Sequence, residues 1–98
     1  MKRKHDSHIN DLILIYHKQY EFMAKNVEYK DPRSQSCGEM DIIAKNGNCI
    51  DIYEIKCNNN YEKAVKQLYR AKDCLEAGTL EVRLFYYEGR TNTLLRVD

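Results

Sequence analysis

With 98 residues, the chain fits one domain (residues 1–98) around one modest core and leaves no room for a separate target-recognition module. Charged residues make up 32% and apolar ones 43%, and no apolar run approaches the roughly 18 residues of a membrane span. A net charge of +1 excludes a globally basic nucleic-acid binder, so any such affinity must come from a local basic face.

The Met1-Lys2-Arg3-Lys4 start lacks the apolar stretch of a secretory signal. Cysteines at 37, 49, 57 and 74 form no CxxC pair and no zinc-ribbon spacing, so reduced thiols and an intracellular, cytoplasmic protein are expected. Residues 1–6 read as a disordered basic tail. Asp6 or Ser7 can cap a first helix, in which Ile9, Leu12, Ile13 and Tyr16 recur at helical spacing until about Gln19. Tyr20, Met23 and Ala24 would continue that period, but Val27 and Tyr29 alternate with polar neighbours, which favours a strand over 20–29. Residues 30–37, with Asp31-Pro32, Ser34 and Ser36, form a loop.

Asn46-Gly47 between apolar-rich runs predicts a hairpin with a type I′ turn, its strands over 40–45 and 49–56. A two-residue loop at that dipeptide pairs Lys45 with Asn48, Ala44 with Cys49, Ile43 with Ile50, and Asp41 with Ile52. One face then carries Met40, Ile42, Ala44, Cys49, Tyr53 and Ile55. The other carries Ile43, Ile50 and Ile52 near the turn and Asp41, Glu54 and Lys56 at the far end. Two largely apolar faces imply a sheet covered on both sides. Asn58-Asn59-Asn60 breaks the strand and can cap a helix that repeats Tyr61, Ala64, Val65, Leu68, Ala71 and Leu75, with Gly78 suited to its C′ position. Residues 80–87 read as a strand, Glu88-Gly89-Arg90 as a turn and 93–97 as a short final strand.

In this register Asp41 and Glu54 are diagonal neighbours about 7–8 Å apart at Cα. Two carboxylates at that distance can share a hard divalent cation, with the Lys56 ammonium beside it. That combination suits phosphodiester hydrolysis. Glu39, roughly opposite Glu54 in this register, is either an accessory ligand or a surface acid.

Gly38-Glu39-Met40-Asp41-Ile42-Ile43-Ala44 followed by Tyr53-Glu54-Ile55-Lys56 resembles the core of the PD-(D/E)XK nuclease superfamily, in particular the small branch that includes archaeal Holliday-junction resolvases. The likeness covers residues 8–87, and Met40 stands where the motif's proline would be. It implies an α/β restriction-endonuclease-like core, a mixed central sheet flanked by helices in the order α-β-β-β-α-β-β. It also implies Mg²⁺, with Mn²⁺ as substitute, held by Asp41, Glu54 and the backbone carbonyl of Ile55. Lys56 would orient or help deprotonate the attacking water.

The superfamily often adds an acid from the first helix. Asp11 is the candidate here, against the alternative of a solvated helix charge. Gln67 matches a glutamine that in many members approaches the cleft; with Lys63 and Arg70 it forms either a phosphate-facing helix edge or a solvated flank. Lys2, Arg3 and Lys4 are further candidates for DNA contact. The cysteine spacing does not match the iron–sulfur relatives of the superfamily.

The resemblance leads us to expect a Mg²⁺-dependent DNA endonuclease, structure-selective on branched DNA, acting as a homodimer without a nucleotide cofactor. The alternatives are a repair or restriction-type nuclease needing a partner, and an inert DNA-binding or assembly module of the same fold.

Overall fold

The computed structural model describes residues 2–30, 37–58, 60–75 and 80–98, with the side chains of Lys2, Arg3 and Cys37 outside that description. It is an α/β fold of two helices and a five-stranded mixed sheet. The elements are α1 (Lys2–Tyr16), a short 3-10 turn (His17–Gln19), β1 (Phe22–Lys30), β2 (Cys37–Asn46), β3 (Cys49–Lys56), α2 (Tyr61–Leu75), β4 (Glu81–Glu88) and β5 (Thr93–Arg96). The expected element order is therefore present. The strands lie in sequence order across the sheet, all neighbours antiparallel except β3 and β4, which α2 joins as a parallel pair.

Two apolar clusters sandwich this sheet. Ile9 and Leu12 of α1 pack with Ile42, Ala44, Tyr53 and Ile55. Leu68 and Ala71 of α2 pack with Met40, Ile50, Ile52, Val82 and Leu84. Burying a side chain such as Leu68, 1% exposed, contributes about 1.5–3 kcal/mol. β3 is buried along nearly its whole length because helices cover both its faces. No described helix is long and apolar enough to cross a membrane.

Several boundaries differ from expectation. α1 begins at Lys2, ahead of the Asp6 or Ser7 cap, so residues 2–6 are helical where a disordered tail was expected. The loop residues 31–36, Asn59 and the Gly78 cap fall outside the described residues. β2 begins at Cys37, earlier than the expected strand start at Met40.

The hairpin register is a correction. Asn46 pairs with Cys49, Lys45 with Ile50, Ala44 with Asp51 and Ile43 with Ile52, so the two-residue loop is Gly47-Asn48. Gly47 has φ +62°, whereas neither Asn46 nor Asn48 has a positive φ. Positive φ at the first central residue alone is the type II′ pattern, and only glycine takes it without strain. Asn46 is left in the strand, where its side-chain amide donates to the Gln19 carbonyl at 3.1 Å. Glu21 accepts the Gly47 N–H at 2.7 Å, which ties the turn to the start of β1. The shift relative to expectation moves each partner by two residues, so the alternation of β3 is preserved.

The faces of β2 needed a second correction. Met40 belongs to the α2-side cluster while Ile42 and Ala44 belong to the α1 side. In β1 the same exchange separates Met23 from Val27 and Tyr29. Between these groups lie Asn26, with φ +54°, and Asp41, which the β1–β2 register on either side sets level with each other although the ladder skips this one pair. Asparagine tolerates the left-handed region better than other non-glycine residues. Both strands thus turn over at one level, and Asp41 sits at the crossing.

Candidate active site

β2 and β3 stop forming a regular ladder beyond the Ile42–Tyr53 pair. There the Asp41 carboxylate turns into the gap, and its Oδ2 accepts the Ile55 N–H at 2.9 Å. Extended one step past its last pair, the register would set Asp41 level with Glu54, although the ladder itself ends at Ile42 and Tyr53. This replaces the expected diagonal relation and the expected placement of Glu39 opposite Glu54. Glu39 instead pairs with Glu28 of β1 and is exposed.

Asp41 and Glu54 are 6% and 5% exposed, and the Asp41 carboxylate lies close enough to Glu54 to act on its ionisation. The Lys56 Nζ lies 3.3 Å from Glu54 Oε2. Burial, reinforced by the Asp41 charge, pushes the Glu54 carboxyl up to about 8 despite the opposing pull of Lys56. Near neutral pH one proton therefore resides on this pair. Sequence reasoning placed Asp41, Glu54 and Lys56 together, and the structure brings them together.

The α1 residue at this site is His5. Its Nε2–H donates to the Ile55 carbonyl at 2.9 Å and lies 3.2 Å from Asp41 Oδ2. The Ile55 carbonyl can only accept, so Nε2 carries the hydrogen. Asp11 is exposed on α1, and its charge helps raise the Tyr87 phenol, behind the larger effect of burial. His5 continues the Ile9, Leu12 and Tyr16 stripe one turn upstream. The signal was available once the helix is extended to Lys2.

The donor set fits a divalent cation. Two buried carboxylates in contact repel unless a proton or a cation lies between them, and Mg²⁺ takes one or two carboxylates with waters. Asp41 and Glu54 would hold it. The Ile55 carbonyl, which accepts the His5 N–H, would have a second lone pair with which to join them. Among the described residues no three His, Cys, Asp or Glu side chains converge as a ligand set, and carbonyl and water oxygens would complete the coordination.

On the same face of β4, Tyr86 lies in register with Glu54, and Glu88 with Lys56. Glu88 accepts the Tyr86 hydroxyl at 2.8 Å and the Arg90 N–H at 3.1 Å. Burial works against its charge, but these bonds and the Arg90 guanidinium outweigh it and hold the carboxyl below the usual range. Sequence reasoning took this stretch only as a turn.

Gln67 is half-buried, and its side-chain oxygen is buried without a hydrogen-bond partner, while Lys63 and Arg70 are exposed on α2. Lys4 is exposed, and the Lys2 and Arg3 side chains lie outside the described residues. The thiols of Cys49, Cys57 and Cys74 are unbridged.

A second polar cluster was missed. Asp51, 1% exposed, stands on the α1 face of β3 between Cys49 and Tyr53. Arg83 grips it through Nε at 2.7 Å and Nη2 at 2.8 Å, and the Tyr20 hydroxyl donates to it at 2.5 Å. Burial and this bond raise the Tyr20 phenol far above its ordinary range. A charge interrupting the apolar alternation 49, 53, 55 was the available signal.

No protein-family model matches the chain, and a search of curated proteins finds no match to it.

Proposed function

We propose that the chain is a metal-dependent DNA endonuclease with a PD-(D/E)XK-type, restriction-endonuclease-like site. The observation that supports this reading best is the buried Asp41–Glu54 contact with the Lys56 ammonium at 3.3 Å, where β2 and β3 part. Mg²⁺ or Mn²⁺, when bound, supplies charge neutralisation and lowers the cost of ionising water. Asp41 and Glu54 would hold the cation, which would take the place of the proton that burial keeps on Glu54. Lys56, beside Glu54, orients the attacking water and balances charge gathering on the phosphate. Hydrolysis forms one P–O bond from that water, which gives up a proton, and breaks the P–O bond to the leaving sugar oxygen, which takes one up.

The narrower part of the proposal is branched DNA cut by a homodimer. A single compact domain of this size reads shape through phosphate contacts more readily than sequence through base edges. Symmetric paired cuts need two sites related by a two-fold axis. The test compares four-way junction, flap, duplex and single-stranded DNA with and without Mg²⁺, with sedimentation reporting mass. Mg²⁺-dependent paired cuts about the junction by a dimer are expected. A monomer acting equally on all substrates would remove the junction reading and leave the nuclease.

A further inference from the structure

Beside the acid cluster lies a cleft of about 490 Å³, lined by Lys4, Ser7 and His8 of α1, Cys57 after β3, and Gly89 and Arg90 after β4. Among the described residues its lining carries two permanent cations and no carboxylate, in a chain whose net charge is only +1. The other large hollow, about 630 Å³ along β1 and β2, is lined among the described residues by Glu28 and Glu39 as well as Lys30.

The cleft is held in shape by its neighbours. Gly89 donates its N–H to the Lys56 carbonyl at 2.7 Å, locking the turn after β4 to the end of β3. A Cβ on Gly89 would come within 2.8 Å of the His8 ring and 3.3 Å of that carbonyl, so any larger residue would have to displace the ring. The His8 ring in turn rests on Tyr87, centroids 5.5 Å apart. Arg90 is aimed by Glu88, a carboxylate 8% exposed that takes the Arg90 N–H at 3.1 Å and its Nε at 3.4 Å. The Tyr86 hydroxyl holds the other Glu88 oxygen at 2.8 Å. The guanidinium nevertheless keeps its terminal nitrogens for another acceptor, and the Arg90 side chain is 57% exposed.

We infer that this cleft seats a phosphate group of a nucleic-acid strand, bound by Arg90 and Lys4, with Arg90 positioned by the Tyr86–Glu88 pair. A guanidinium anchored on one edge and open on the other suits two-point contact with phosphate oxygens. The cleft adjoins the catalytic cluster twice over. Cys57 directly follows Lys56, and Lys4 directly precedes His5, which reaches Asp41. A strand crossing the cluster can therefore place a neighbouring phosphate here. The inference rests on the nuclease reading for its choice of ligand, and the cleft itself is independent of metal.

The experiment uses the whole chain in EDTA, so that cleavage plays no part. Amide and His8 ring NMR signals are followed during titration with inorganic phosphate and, separately, with a single-stranded oligonucleotide. Shifts at Ser7, His8, Gly89 and Arg90 with both probes are expected, stronger with the oligonucleotide. Arg90→Gln should weaken oligonucleotide binding roughly tenfold, as for a lost charge-assisted contact, and cut the salt slope by about one unit. Arg90→Lys should recover only part of that loss, and Tyr86→Phe should reduce affinity with Arg90 intact. Oligonucleotide binding that leaves the cleft signals unmoved, or no binding at all, would overturn the inference. Mg²⁺-dependent cleavage in a parallel assay separates the two ideas. Cutting with a silent cleft removes only the phosphate seat, and a responsive cleft without cutting removes only the nuclease.

Discussion

The Asp41 carboxylate accepts the backbone N–H of Ile55 at 2.9 Å, standing where a strand carbonyl would complete the ladder. Asp41 is thus both a candidate metal ligand and a structural acceptor. We predict that the two roles separate by substitution. Asp41→Asn keeps an oxygen for Ile55 and replaces the like charge beside Glu54 with an amide, so metal-free stability should hold or rise. Asp41→Ala strands a buried N–H and should cost about 1–3 kcal/mol in urea unfolding. Equal stability of the two variants would contradict the dual role.

Glu54 gives the metal-free protein a distinctive pH dependence. Its carboxyl is raised from 4.5 to about 8 in the folded chain, so over that window the folded state holds a proton the unfolded state has lost. The stabilising contribution is complete below about 4.5 and disappears as pH climbs through about 8. In EDTA, Tm should therefore fall between pH 6 and pH 9 in the wild type and much less in Glu54→Gln. Adding Mn²⁺ should flatten the wild-type slope and leave the variant unaffected, because the cation takes over from the proton. A Tm that rises over this range through Glu54 would contradict the assignment.

Asp51 and Arg83 bear on stability alone. Removing the guanidinium leaves a carboxylate that is 1% exposed without its charge partner. Arg83→Ala should cost about 3 kcal/mol, the lower end for a broken buried pair, because the Arg83 side chain is itself 35% exposed. Denaturant midpoints check this, with DNA cleavage per folded molecule unchanged. A loss of cleavage without a loss of stability would place this cluster in the chemistry instead.

Lys56 should act on the chemical step. Lys56→Ala should lower the single-turnover rate about 10²-fold or more, with a smaller change in DNA affinity. Unchanged turnover at saturation with weakened binding would make Lys56 a phosphate contact.

Asp41, Glu54 and Lys56 were legible because strand alternation survives a register error of two residues. The pairing itself was misread because Asn46-Gly47 and Gly47-Asn48 both satisfy hairpin chemistry, and side-chain bonds from Asn46 and Glu21 favour the second. The switch of faces at Asn26 and Asp41 leaves no periodic signature, since it depends on one asparagine entering the left-handed region. His5 was hidden by a cap set too late, and Arg83 and Glu88 by partners distant in sequence or assigned to a turn. Long-range polar pairing is written in geometry rather than in spacing, so these contacts emerged only from the fold.

The central claim is that Asp41 and Glu54 together hold a cation that makes this chain a nuclease. Single-turnover cleavage of labelled DNA in Mg²⁺ tests it most directly, with wild type, Asp41→Asn and Glu54→Gln compared and DNA binding in Ca²⁺ as the control. The account predicts cleavage by wild type only, with all three proteins binding DNA comparably. Wild-type-like cutting by either variant, or wild type that binds DNA and never cuts it in Mg²⁺ or Mn²⁺, would contradict it.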